Sequence, residues 1–251
     1  MRALYLALFC ALSQPVATQV MLAQQDPPAT DATSVLTCIQ DALGGTAAFA
    51  AVSSLYIKGD TKPSQTSGLR PLPGTREISV VFPDRYLSAH QPSRPGDSAL
   101  SSIVGFDKGV LLSSPRGPDA KRAEVSAHRN FALQMLMRLP RKLAGVRLSQ
   151  RVTSDSGHDR LAIEASGSDG FIATLLVDRE TCVPIALQYN TVTAAMSGVA
   201  RVDLSEYRSF GGIRFPTVLK TSIAGQPYHE ERVTNVEVNT PAATRAFDGR
   251  R

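Results

Sequence analysis

Strict alternation of apolar and polar residues is the feature that most restricts what this chain can become. Ile78, Val80 and Phe82 occupy every second position, and Leu161, Ile163 and Ala165 do the same against Arg160 and Glu164. Ala200, Val202 and Leu204 alternate with Arg201, Asp203 and Ser205, and Ile213, Phe215, Leu219 and Ile223 with Arg214, Lys220 and Ser222. Leu55 with Ile57, and Ile185 with Leu187 and Tyr189, extend the pattern. A period of two places like residues on one face of a strand, so each strand has a dry face and a wet one, as in antiparallel sheet. The connectors are turn-forming: Asp107-Lys108-Gly109, residues 178–181, Gly211-Gly212 and Ala224-Gly225-Gln226. Roughly ten strands result, with few helix-length connections between them, which argues against a parallel βαβ architecture.

Two segments break the period. Residues 34–43 carry Val35, Leu36, Ile39 and Leu43 at helical spacing, with Thr33 or Ser34 available as cap and Gly44-Gly45 as terminator. Residues 120–139 follow a Pro115, Gly117, Pro118 breaker cluster and stop at Pro140. Val125, His128, Ala132, Met135, Leu136 and Leu139 form one stripe along them, which predicts an amphipathic helix of about five turns. Its Phe131, Met135 and Met137 are an adaptable apolar surface. Two readings of that helix stand side by side: plain packing on the sheet, or a cover over an apolar cavity. Residues 60–75 and 91–98 are rich in Pro, Gly, Ser and Thr and read as long loops.

The N-terminus resembles an export signal, with Arg2 ahead of an apolar run over residues 3–12 and Ser13, Gln14 and Pro15 behind it. That run is too short to cross about 30 Å of hydrocarbon. The reading is a signal peptide over 1–23, cut after Ala23, a linker over 24–33, one domain over 34–239 and a flexible tail over 240–251; the alternative for the N-terminus is an uncleaved, membrane-associated segment. Leu8 and Phe9 before Cys10 do not suit a lipidation site. Cys38 and Cys182 remain after the cut, either as a disulfide in an oxidising compartment or as two buried thiols.

Chemistry-bearing motifs are absent from the sequence. There is no G-x-S-x-G, H-E-x-x-H, C-x-x-C, P-loop or dinucleotide glycine pattern. None of His90, His128, His158 and His229 lies four residues from another His, and His229-Glu230-Glu231 lacks a further ligand at metal spacing. Of the carboxylate pairs, turn chemistry accounts for Asp178 beside Glu180, and a wet strand face for at least Asp203 beside Glu206. The expectation is therefore no enzyme, no metal and no cofactor. The net charge of +5 is spread along the chain rather than concentrated in a stripe, which argues against nucleic acid. An exported sheet with one long helix and no catalytic set can close on its own side chains or hold an apolar guest. An acyl chain gains about 0.8 kcal/mol per buried CH₂ and asks only for a dry groove and a cover.

A family resemblance rests on the order of turn motifs. Asp178-x-x-Thr181-x-x-Pro184-x-x-Leu187-x-Tyr189 is followed by Tyr207-Arg208-Ser209-Phe210-Gly211-Gly212-Ile213-Arg214-Phe215-Pro216 and by the charged run from Glu230 to Val238. Ala42-Leu43-Gly44-Gly45 and Leu55-Tyr56-Ile57-Lys58-Gly59 precede them. This succession resembles the outer-membrane lipoprotein-sorting, LolA/LolB-like superfamily. The resemblance implies a strongly curved antiparallel half-barrel with helices covering its concave face, a periplasmic location, and acyl chains of lipids or lipoproteins as cargo, with only peripheral membrane contact. An envelope sensing or protein-interaction module of the same fold, with an envelope protein as partner, is the alternative, and an unrecognised envelope hydrolase a third. From the alternation, the expected cavity lining is Leu55, Ile57, Val80, Phe82, Phe106 and Leu111, under a cover of Phe131, Met135 and Leu136, with the opposite strand faces as the competing choice. On that reading Met135→Arg abolishes guest binding more than it lowers stability.

Overall fold

The structure is a computed structural model that describes residues 30–64, 72–94, 101–114, 120–193 and 196–249. The proposed signal peptide, most of the linker, the Pro115–Pro118 breaker cluster with Asp119, and parts of both long loops lie outside the described residues. In chain order come β1 (Thr30–Asp31), α1 (Thr33–Ala42), α2 (Thr46–Ala50), β2 (Ser54–Pro63), β3 (Gly74–Val81), β4 (Arg85–Pro92), β5 (Ser102–Asp107), β6 (Val110–Ser114) and α3 (Ala120–Arg138). The second half holds β7 (Val146–Asp155), β8 (His158–Gly167), β9 (Ile172–Asp178), β10 (Pro184–Val192), β11 (Ser197–Phe210), β12 (Ile213–Ile223), β13 (Gln226–Val238) and α4 (Pro241–Arg245).

All these strands join one antiparallel sheet of 13 strands, ordered β1-β7-β8-β9-β10-β11-β12-β13-β2-β3-β4-β5-β6. It is open and strongly curled, a half-barrel rather than a closed barrel. The count exceeds the roughly ten strands expected because some strands do not show the apolar period. No residue of β7 is buried, and β4 turns Ser88 and His90 toward the side that Tyr86 faces. Strands β2 and β3 also run further into the expected loop over 60–75 than its composition suggests, to Pro63 and from Gly74.

Two meanders, β2 to β6 and β7 to β13, meet where the last strand pairs with the first long one, Val238 opposite Leu55 and Val236 opposite Ile57. The register slips between Val233 and Asn235 there, and between Thr221 and Ser222 in the neighbouring pair. Such bulges bend a strand and increase its twist, which helps the sheet curl.

Topology fixes where α3 goes. It leaves β6 at one edge of the sheet and returns to β7 beside the other, so it has to span the concave side. Nineteen helical residues reach about 28 Å at 1.5 Å each. The helix packs against β5 and β6 on one flank and β9, β10 and β12 on the other. Its burial varies along its length more than around it: Lys121, Arg122, Glu124, His128 and Arg129 are exposed, whereas residues 134–139 are all buried. His128, expected on the buried stripe, is among the exposed ones.

The core lies between the concave face and the helices. Leu55, Ile57, Ile78, Val80, Ile163, Leu175, Leu187 and Phe215 come from the sheet, Ile39, Phe49, Met135 and Leu136 from α1 to α3, and Leu139 from just past the end of α3. A much smaller cluster, Ala162, Leu176 and Ala186, sits apart on the opposite strand face. The end of α1 is docked closely: the Arg214 amide donates to Leu43 O at 2.7 Å. At Gly44 the backbone has φ +136°, and a Cβ would lie 2.3 Å from Gly212 O, so only glycine fits. Cys38 of α1 is disulfide-bonded to Cys182 in the β9–β10 turn, their Cα atoms 5.7 Å apart. In that turn the Asp178 carboxylate accepts the Thr181 amide at 3.0 Å and the Thr181 hydroxyl at 2.9 Å.

Three boundaries differ from the sequence reading. The N-cap of α1 is Ala32 with no side-chain cap, rather than Thr33 or Ser34, and the Thr33 hydroxyl instead donates back to Asp31 at 2.7 Å. Within the assigned linker, β1 pairs with β7, Thr30 opposite Gln150. The assigned tail does not fray at its start: it forms α4, which packs on β2 and β3 and buries Ala243, with Phe247 buried just beyond its end. The Arg85 guanidinium lies 4.2 Å over the Phe247 ring. Two apolar residues one helical turn apart are enough to seat so short an element.

Candidate functional site

The turns at one end of the half-barrel, together with the first half of α3, enclose a cavity of about 680 Å³. Four phenylalanines give it apolar walls: Phe82 from the β3–β4 turn, Phe106 from the end of β5, Phe131 from α3 and Phe171 from the β8–β9 turn just before β9. Val125, Ala132, Leu143 and Val146 complete the dry surface. Phe131 is the centre of an aromatic group, with ring centroids 6.4 Å from Phe82, 5.6 Å from Phe106 and 5.3 Å from Tyr86. His128 stacks on Phe106 at 4.5 Å.

Charge is confined to polar fittings around these walls. Arg129 pairs with Asp169 at 2.6 Å, and the Asp169 carboxylate also accepts the Phe171 amide at 3.1 Å. Burial would raise the Asp169 carboxyl, but the hydrogen bonds from Arg129 and Phe171 hold it below the usual carboxylate range. Arg141 lies 4.3 Å over the Phe82 ring and donates to Val52 O at 3.4 Å. Burial lowers its pKa. Lys121 and Lys142 stand on the wall as well, with Asp84 and Glu124 as the remaining acids. The arrangement is a dry slot with a mixed, slightly cationic rim, suited to an apolar chain that carries a polar end. Nothing in it pairs a nucleophile with a base.

The nine expected lining and cover residues separate into two groups. Phe82, Phe106 and Phe131 stand on the cavity wall. Leu55, Ile57 and Val80 lie in the packed core of the concave face, and Met135 and Leu136 under α3 are 0% and 1% exposed. Leu111 packs at the edge of that core. Met135→Arg therefore strikes the core first, and Phe131 is the better probe of the cavity.

Alternation did not single out a second set of residues, toward the other end of the trough. On β13, His229 and Glu231 share the inward face of Val233; on β3, Arg76 shares that of Ile78 and Val80. Glu231 is 2% exposed, receives a hydrogen bond from the buried Arg138 of α3, and pairs with Arg76 at 3.3 Å. Burial would raise its carboxyl, but the guanidiniums of Arg138 and Arg76 outweigh that and hold it low. Burial pushes the His229 imidazole down to about 4, with Arg76 acting the same way. The signal that could have found these residues is the strand period itself, carried two positions past the last apolar residue.

Comparison with known proteins bears on the fold. No family model matches the chain, and no curated protein matches it. Among solved structures, a DUF1329 family protein from Desulfovibrio piger superposes with a TM-score of 0.52 at 9% identity, over 88% of this chain and 98% of that one. The LolA superfamily protein NE2245 from Nitrosomonas europaea superposes with a TM-score of 0.52 at 11% identity, over 84% of this chain and 95% of that one. No helix among the described residues is long and apolar enough to cross a membrane. The open, curled antiparallel sheet of this chain thus has a LolA-like fold, shared with these two solved structures.

Proposed function

We propose that this protein is an exported, periplasmic binding protein or carrier that holds an acyl chain of a lipid or lipoprotein in the cavity at the mouth of its half-barrel. The observation that carries this reading is the cavity of about 680 Å³ walled by Phe82, Phe106, Phe131 and Phe171. Ten methylenes taken from water into such a slot contribute about 8 kcal/mol before ordering costs. The rim supplies polar and cationic partners for whatever is attached to the chain. The LolA-like fold and the signal-like N-terminus support the same reading. The role needs no catalytic residue and no cofactor.

Native mass spectrometry tests it directly. The mature protein is mixed with palmitoyl lysophospholipid and with a triacylated lipopeptide. A one-to-one adduct with either is expected, lost in Phe131→Asp, which puts a carboxylate on the cavity wall at a half-buried position. A wild-type protein that takes up neither ligand overturns the carrier reading and leaves a sensing or interaction module.

A further inference from the structure

The concave side is divided. Its mouth is dry, and the trough beyond the Tyr86–Phe131 contact is polar and largely closed to solvent. There Arg138 is 1% exposed, and its Nε and Nη1 have no hydrogen-bond partner. Arg76 Nε, Gln134 Oε1 and His229 Nδ1 are likewise buried and unpaired. Buried polar atoms without partners are rare, because each loses its hydration with nothing in return. Those on Arg76 and Arg138 belong to side chains that meet at one carboxylate, and they mark a place built for a group that is not part of the chain.

The charge balance states what that group is. Two guanidiniums face one carboxylate, Glu231, and His229 is neutral at pH 7 because burial holds it near 4. One positive charge is left over. The unpaired atoms on Arg76 and Arg138 are all donors, and guanidinium N–H groups fit the oxygens of carboxylate and phosphate. An approach exists at the Arg76 end, where that side chain is 28% exposed and His229 is only half-buried.

We propose that Arg76 and Arg138, with Glu231 bracing both, form a receptor for one oxyanion group, a carboxylate or a phosphate, at the end of the trough away from the acyl cavity. The group is either a free anion or the head of an amphiphile. The site stands without the acyl reading, because its donors and its surplus charge lie outside the mouth.

Two measurements decide it. In the first, thermal unfolding is followed with sodium phosphate against sodium chloride of equal ionic strength. In the second, calorimetry compares palmitate with hexadecanol, which differ only in the oxyanion. For a free anion, phosphate raises Tm saturably while the two acyl ligands bind alike. For an amphiphile head, palmitate binds at least ten-fold more tightly than hexadecanol, and phosphate competes with it. Either preference is lost in Arg138→Met/Glu231→Gln, which removes the buried pair together. It is also lost in Arg76→Gln, a change at the more open edge that spares the fold. No phosphate-specific shift and equal affinity for palmitate and hexadecanol overturn the proposal, as does a preference that survives both variants. Hexadecanol binding without oxyanion preference would leave the acyl cavity standing and remove this site. Phosphate binding without any acyl uptake would do the reverse.

Discussion

The Arg138–Glu231–Arg76 group makes an asymmetric prediction about stability. Replacing Glu231 with Gln leaves two guanidiniums close together around a neutral amide, one of them 1% exposed. An uncompensated buried charge costs about 3 to 5 kcal/mol, and the upper part of that range is expected here. Arg138→Met is milder, because Glu231 keeps Arg76 at 3.3 Å, and about 3 kcal/mol is expected. The double variant removes both members of the deepest pair and leaves Arg76, which still reaches solvent. It should lie within about 2 kcal/mol of wild type, since a buried pair exchanged for neutral groups of similar volume is often nearly neutral. The cycle therefore predicts strongly non-additive losses, with a coupling of about 3 kcal/mol or more, as for residues in direct contact. Urea unfolding followed by far-UV circular dichroism measures all three, with the change read from the midpoint at constant slope. Single variants that each lose less than about 1 kcal/mol, or losses that simply add, would refute the reasoning, because the pair would then be solvated in the native protein.

Three further outcomes follow from other parts of the molecule. His229 titrates near 4 in the folded chain, so between about pH 6.5 and 4 the unfolded chain binds a proton that the native one refuses; stability falls by about 3 kcal/mol as pH drops through that window. His229→Gln should flatten that slope in acid urea melts, whereas the loss tied to Glu231 belongs below the usual carboxylate range, and an unchanged slope counts against a buried neutral imidazole. Cys38 and Cys182 lie 144 residues apart, so opening their bond frees a large loop in the unfolded chain and should lower stability by about 4 kcal/mol in urea melts with and without reductant; equal midpoints would show that the bond does not constrain the chain. Along α3, amides 124–130 should exchange with deuterium at least about ten-fold faster than amides 134–139, because the first half is mostly solvated and the second is sealed; uniform protection would mean that the helix opens only as one unit.

Much of this architecture was legible in the sequence, and the exceptions share a physical origin. The period of two identified the strands whose dry face meets the core, and the turns at Asp107-Lys108-Gly109, Gly211-Gly212 and Ala224-Gly225-Gln226 fall between hydrogen-bonded strands. Strand β7 was faint because its apolar face, Val146, Leu148 and Val152, is interrupted by Gln150 and packs only through Val146 and Leu148, at the edge of the core. The α4 segment was faint because two side chains, Ala243 and Phe247, carry its docking. Of the cavity, Phe82 and Phe106 came from alternation and Phe131 from the Met- and Phe-rich end of the predicted helix. Phe171, Leu143 and Val146 depend on which turns gather at one end of the barrel, and a local period contains no such information.

The polar trough was missed for a different reason. Charged residues within a strand read as its wet face, and the run around Glu231 reads that way locally. Yet Glu231 shares parity with Val233, Arg76 shares it with Ile78 and Val80, and Arg138 lies one helical turn beyond Gln134 and Met135. All three occupy positions where the period calls for apolar side chains. A charge in phase with the core is tolerated only if an opposite charge reaches the same place, and the crossing of α3 from β6 to β7 brings Arg138 to Glu231. The same crossing lays Phe131 over the mouth. One connection thus sets both the dry half and the charged half of the concave side, so a change that loosens α3 should disturb the two together.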